Sequence, residues 1–248
     1  MTRAAAIARG LTDVNARVAA AERAAGRPAG SVRLVAVSKK MPPDDVASAF
    51  AAGQRDFGES YAQELRDKRA ALAAIAPRWH FIGPLQSNKI KYVAGRVDLI
   101  HSVDSAALLD EIDRRISSAG AGAAAAAAAG HVQACLVQVN VAGEAQKHGV
   151  PPDALASLLD RFAALDHVRC EGLMIIPPLA DDPEASRFHF AALRRLRDEA
   201  AARPRPHVDL RELSMGMSHD LEVAIAEGAT LVRVGTALFG ARDGSEAS

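Results

Sequence analysis

Short apolar runs recur along the chain, each followed by a stretch of helical spacing or by a polar turn. Residues 4–25 come first. There Ala, Ile, Leu and Val alternate with Arg, Asp and Glu at helical spacing, and Gly26, Pro28 and Gly30 end the segment. Residues 33–38 then read as a buried strand, broken abruptly by Lys39 and Lys40. Pro42, Pro43, Asp44 and Asp45 open a helix that Gly53 closes. Further strands are predicted at 55–60, 79–83, 97–103, 132–141, 168–176, 210–215 and 231–236. Between them, helices are predicted at 61–76, at about 105–117, at 152–165 and at 183–203, the last with Phe188, Leu193 and Leu196 on one face. Asp104 and Ser105 form an N-cap pair, and Ser218 is expected to cap a helix ending near Gly228. Residues 119–130, an Ala/Gly stretch of low complexity, read as a loop extension without function.

Eight strand candidates in strict alternation with helices or turns argue for a parallel sheet covered on both faces. The chain has 248 residues, the size of a (β/α)8 TIM barrel of about 250 residues. The expected fold is therefore α/β, one barrel domain over residues 1–248 with an extra N-terminal helix. A doubly wound open sheet lacks support, because no strand leads into a Gly-x-Gly-x-x-Gly turn.

Composition narrows the function classes. Thirty basic residues balance thirty acidic ones, so no global field attracts nucleic acid or an anionic membrane. The two cysteines sit in separate apolar runs and read as small hydrophobes of a reducing compartment. The N-terminus has no continuous apolar core and is interrupted by Asp13 and Glu22, which argues against a secretory signal. A cytoplasmic address is expected.

Barrels bind ligands at the C-terminal ends of their strands. Those ends carry Lys39, Glu59 with Ser60, Gly83 with Pro84, Asp104, Asn140, Met174, Ser214 to Ser218, and Gly235 with Thr236. No His and carboxylate cluster suits a metal. An amine in an apolar mouth can attack a carbonyl. The small-residue ends of strands seven and eight are the usual phosphate site of such barrels. Together they suggest a phosphorylated carbonyl compound, pyridoxal 5′-phosphate held as a Schiff base. Arg233, inside strand eight, either pairs with a carboxylate such as Glu59 or donates to the ring nitrogen of the cofactor. His80 either faces the barrel interior as a satisfied core histidine or belongs to the cofactor-binding set.

The motifs 34–39, Phe57-Gly58-Glu59, 79–89, Gly172-Leu173-Met174, 213–218 and Arg233-Val234-Gly235-Thr236 resemble the pyridoxal phosphate homeostasis protein family, over about residues 31–243. That family looks like the N-terminal barrel of alanine racemase standing alone. The resemblance implies a covalent cofactor on Lys39, Arg233 at the pyridine nitrogen, and Ser214, Ser218, Gly235 and Thr236 on the phosphate; Met174, at a strand end, and His80 complete the expected cofactor-binding set. Two features depart from the family: Ser60 stands where an Asn is usual, and the Ala-rich insertion is extra.

Two functions compete. One is a carrier that buffers pyridoxal phosphate and delivers it to dependent apo-enzymes, with at most weak racemase-like activity of its own, as a monomer or weak dimer. The other is an amino-acid racemase, which needs acid/base groups on both faces of the substrate. The sequence offers only Tyr61 and Tyr92, and Tyr61 reads as the start of a helix. The carrier is the preferred expectation.

Overall fold

A computed structural model describes residues 1–119, 132–144 and 148–240. Its strands are β1 Arg33–Val37, β2 Asp56–Glu59, β3 Arg78–Phe81, β4 Leu99–Val103, β5 Gln133–Gln138, β6 Val168–Met174, β7 Val208–Ser214 and β8 Leu231–Val234. Each strand pairs in parallel with its sequence neighbour, and β8 pairs with β1, so the sheet closes into a barrel. The helices are α1 Arg3–Ala24, α2 Pro43–Ala51, α3 Ala62–Ala71, α4 Ala106–Ala119, α5 Leu155–Phe162, α6 Arg187–Ala201, α7 Leu221–Ala226 and α8 Thr236–Phe239. This is the single (β/α)8 barrel with an added N-terminal helix that the alternation predicts.

The near-continuous apolar strands follow from burial on both faces. On β1, Leu34 and Ala36 join the large core under the helices, whereas Val35 turns inward. Inside the barrel Val35 meets Leu99, Ala134, Leu136, Met174 and Leu231 in a small apolar cluster. The period of two carries on past the strand, so Val37 and Lys39 both face the mouth. The helix α1 packs on α2, α7 and α8, buries Ile7, Leu11, Val14 and Val18, and covers the part of the wall where α8 has only four residues.

Three elements differ from the sequence expectation. On α6 the core face carries Phe190 and Leu193, both fully buried, while Phe188 is 67% exposed. Phe188 is five residues before Leu193, which on a helix of about 3.6 residues per turn puts it about 140° away, off the core face. Ser218 does not cap α7. That place belongs to Asp220, whose carboxylate accepts from the Met217 N–H at 2.7 Å. The expected helix at 152–165 opens as a 3-10 turn, Pro152–Ala154, before α5. Ser105 does cap α4, accepting from Leu108 N–H at 3.3 Å. Beyond Ala119, the low-complexity stretch lies outside the described residues. Burial pushes the Cys170 thiol up to about 12 and the Cys135 thiol well above its ordinary value, as expected of inert apolar side chains.

Candidate cofactor site

Lysine 39 is presented by a tied-down turn. Ser38, facing away from the mouth, donates through Oγ to Glu59 Oε1 at 2.6 Å. The buried Lys68 ammonium donates to Ser38 O at 2.6 Å, to Glu59 Oε1 at 2.7 Å and to Glu64 Oε1 at 2.6 Å. Glu64 Oε1 also accepts from the backbone N–H of Lys40 at 2.6 Å. Lys68 and Glu64 thus hold the backbone on both sides of Lys39. Lys40 takes the left-handed conformation, with φ of +64°, which is unusual for a residue with a side chain. That turn sends the two lysines apart. Lys39 lines the barrel mouth, while Lys40 lines a depression between α2 and α3 beside Glu64 and Lys68. Burial raises the Glu59 carboxyl above its ordinary range, against the pull of Lys68.

The mouth is a cavity of about 680 Å³, within the ~300–1,000 Å³ usual for small-molecule sites. Its wall includes Lys39, Ser218, Arg233, Gly235 and Thr236 from the expected set. Two glycines shape it. A Cβ on Gly83 would lie 2.3 Å from Ser60 O, so only glycine lets the ends of β2 and β3 close up there. Gly216 has φ of +91°, and a Cβ on it would lie 2.5 Å from Ala224 Cβ. It turns the chain from β7 toward Ser218. Ser218 Oγ accepts from Ala237 N–H of α8 at 3.4 Å, and its carbonyl accepts from Arg17 of α1 at 3.0 Å. The loops after β7 and β8 are therefore fastened to each other and to the extra helix.

Arg233 is 4% exposed and reaches the cavity from β8. Glu59 is not its partner. Its Nη1 donates to Ser214 Oγ at 2.6 Å and its Nη2 to Ile175 O at 2.8 Å. Burial lowers its pKa to about 10, so the guanidinium stays charged at neutral pH. A guanidinium has five N–H donors; these two bonds use two of them, and the side chain lines the cavity.

Three expected residues sit elsewhere. Ser214 is fully buried between Arg233 and His101, outside the cavity wall. Met174 belongs to the apolar cluster inside the barrel. His80 is a core histidine whose ring nitrogens contact His101 at 2.9 Å and Asp56 at 3.0 Å. Conversely, Tyr61, His148 and His219 line the cavity without a motif to announce them, and Lys89, the last residue of the 79–89 motif, lines it without having been assigned a role. Tyr61 follows β2 by two residues, and its position after a strand end was the available signal. Among the described residues no group of three or more His, Cys, Asp or Glu could hold a metal ion, and no helix is long and apolar enough to cross a membrane.

The sequence matches the family model of the alanine racemase N-terminal domain over residues 11–243. The chain belongs to this family. It is 44% identical over 232 residues to the pyridoxal phosphate homeostasis protein of Aquifex aeolicus, covering 94% of this chain and 96% of the relative. It is 45% identical over 237 residues to the protein of that name from Pseudomonas aeruginosa, covering 96% of each. Among solved structures, PipY of Synechococcus elongatus with pyridoxal phosphate bound superposes with a TM-score of 0.79 at 36% identity, over 94% of this chain and all of PipY. The alanine racemase of Corynebacterium glutamicum shares the fold, with a TM-score of 0.68 at 18% identity, and this chain spans 64% of its length.

Proposed function

We propose that the protein binds pyridoxal 5′-phosphate in the barrel mouth, covalently through Lys39, and serves as a carrier in the homeostasis and delivery of that cofactor. The donor set fits the group. The Lys39 amine meets an aldehyde, the remaining Arg233 donors meet an unprotonated ring nitrogen, and the hydroxyls of Ser218 and Thr236 beside Gly235 meet a phosphate. When bound, the group supplies an aldehyde that condenses with amines and a ring that delocalises charge. The protein's own residues bind and orient it. The observation that carries this reading is the separation of the two lysines: of the adjacent pair, only Lys39 shares the cavity with Arg233, Ser218 and Thr236. Near-full-length relatives named for pyridoxal phosphate homeostasis, and a neighbour solved with the cofactor, support it.

The test is borohydride reduction of protein incubated with pyridoxal phosphate, followed by peptide mapping. The label is expected on Lys39, and Lys39→Ala should lose it while Lys40→Ala keeps it. A label on Lys40 or Lys89 would overturn the assignment.

One observation favours a second reading, an amino-acid racemase. Tyr61, half exposed at the cavity wall, is a phenol in the right compartment. Catalysis by it requires α-proton exchange that disappears in Tyr61→Phe.

A further inference from the structure

Five polar side chains from five strands form a continuous hydrogen-bonded file across the inside of the barrel. Arg233 of β8 contacts Ser214 of β7 at 2.6 Å. Ser214 Oγ contacts His101 Nδ1 of β4 at 2.8 Å. His101 Nε2 contacts His80 Nδ1 of β3 at 2.9 Å. His80 Nε2 contacts Asp56 Oδ1 of β2 at 3.0 Å. Ser214 and His101 are fully buried, and His80, Arg233 and Asp56 are exposed by 2%, 4% and 5%.

The direction of every proton in this file follows from its two ends. A guanidinium only donates and a carboxylate only accepts. Arg233 therefore donates to Ser214 Oγ, and Asp56 accepts from His80 Nε2–H. If both imidazoles are neutral, the hydroxyl of Ser214 donates to a bare His101 Nδ1, and His101 Nε2–H donates to a bare His80 Nδ1. All four contacts are then satisfied and point one way, from the cation at the mouth to the anion at the far end. If His80 instead carried two protons, His101 would accept from His80 and donate to Ser214 Oγ, and the Ser214 hydroxyl, accepting from both His101 and Arg233, would be left with no acceptor for its own buried proton. A buried polar file of this kind is stable only when every member is satisfied. Burial first, and the charge of Arg233 beside it, push the His101 pKa well down, in agreement with a neutral ring there. Beyond Asp56 Oδ1, the other carboxylate oxygen accepts from Arg78 at 2.6 Å, a side chain reaching solvent.

We propose that Ser214, His101, His80 and Asp56 are positioning residues for Arg233: a one-way hydrogen-bond file that fixes the guanidinium in the cavity with its unused donors toward the ligand. The role in ligand recognition rests on the pyridoxal phosphate reading, whereas the proton order of the file does not.

Two experiments separate those parts. Histidine-labelled protein without cofactor is studied by long-range proton–nitrogen NMR at neutral pH. His80 and His101 are both expected as the Nε2–H tautomer with a bare Nδ1, and an Nδ1–H on either ring overturns the file whatever ligand the protein binds. In the second, Ser214→Ala, His101→Leu and His101→Asn are compared for affinity toward pyridoxal phosphate and toward inorganic phosphate, with thermal melts to verify folding. Losing a fixed charged donor is expected to weaken pyridoxal phosphate about tenfold or more in Ser214→Ala and His101→Leu. Inorganic phosphate, which has no ring to read, should bind as in the wild type. His101→Asn, whose amide oxygen can accept from Ser214, should restore most of the affinity. Unchanged affinity in Ser214→Ala, equal losses for both ligands, or failure of Asn to outperform Leu would each overturn the positioning role. Wild-type protein that binds no pyridoxal phosphate, yet shows both tautomers, would remove the cofactor reading and leave the file standing.

Discussion

Two adjacent lysines show how a single residue position decides the chemistry. Both Lys39 and Lys40 are legible in the sequence as amines after a buried strand. Strand alternation, followed two residues past Val37, places Lys39 inward, and the left-handed turn at Lys40 completes the separation. Ser214 shows the converse. It lies four residues before Ser218 in a segment that reads as one phosphate loop. Yet Ser214 is the last residue of β7 and faces the interior, whereas Ser218 lies beyond the Gly216 turn and reaches the mouth. Of the hydroxyls expected at the phosphate, Ser218 and Thr236 line the cavity, and the proposed phosphate contact rests on them. A hydrogen bond to a charged group is worth about 1.5–3 kcal/mol. Thr236→Val is thus expected to weaken pyridoxal phosphate about ten- to a hundredfold while leaving unphosphorylated pyridoxal nearly untouched, as titration by absorbance would read. Equal weakening of both would make Thr236 structural.

His101 carries a second prediction at this scale, through pH. It faces Ser214 and Arg233 on one side and His80 on the other, with Asp56 beyond His80 and Arg33 nearby on β1. Its folded pKa lies well below the ordinary 6.5 because burial opposes the charge. In the unfolded chain it takes up a proton near 6.5, so below that pH the unfolded state binds more protons. Stability contributed by the neutral ring is full above about pH 6.5 and is lost as pH falls toward the folded value. Thermal melts of wild-type protein should therefore drop more steeply between pH 7 and 5 than those of His101→Asn. Parallel slopes would mean that His101 does not stay neutral in the fold.

At the scale of elements, the strands and their order were written in the chain. Each apolar run is short, bounded and followed by a helix signal, and eight of them suffice to close a barrel. The links between strands were not. The file from Arg233 to Asp56 joins residues 19, 113, 21 and 24 positions apart. Three of these links join neighbouring strands, but the link from Ser214 on β7 to His101 on β4 crosses the barrel interior and exists only because the sheet closes, so local pattern carries no trace of the whole file. The clamp under Lys39 was hidden for a different reason. Lys68 and Glu64 form an i,i+4 pair on α3, which from sequence reads as an exposed helix pair. In the fold Lys68 is 3% exposed and Glu59 fully buried. Removing one member of a buried pair costs about 3–5 kcal/mol, because the other charge is left uncompensated. Lys68→Met is expected to lose stability of that order in urea titrations and to slow Schiff-base formation at Lys39. Lys68→Met combined with Glu59→Leu removes both charges and should recover much of the stability. A double variant no better than the single would show that packing, and not the unpaired carboxylate, sets the cost.

For the whole molecule, the question is what a barrel with this mouth does with an amine-reactive cofactor. With the cofactor bound as proposed, two features of the fold would act on the rate of α-proton removal from an amino acid. With pyridoxal phosphate held as proposed, Arg233, charged at neutral pH and fixed by Ser214 and Ile175, would donate to the ring nitrogen and disfavour its protonation, which would weaken the ring as an electron sink. Tyr61 is half exposed at the wall, and water there competes with its phenol for the substrate proton. Binding the cofactor needs neither strong proton abstraction nor a dry site. Wild-type protein is therefore expected to take up pyridoxal phosphate, to exchange the α-proton of L- or D-alanine in deuterated water far below ordinary enzyme rates of about 1–10³ s⁻¹, and to release the cofactor to a dependent apo-enzyme. Exchange at ordinary rates that vanishes in Tyr61→Phe would replace the carrier by a racemase. Arg233→Glu isolates the electronic contribution, because a carboxylate there favours a protonated ring nitrogen. With occupancy verified by absorbance, this variant should exchange the α-proton faster than wild type. A flat rate at full occupancy would show that the guanidinium restrains nothing, leaving the wet position of Tyr61 as the sole reason for slow chemistry.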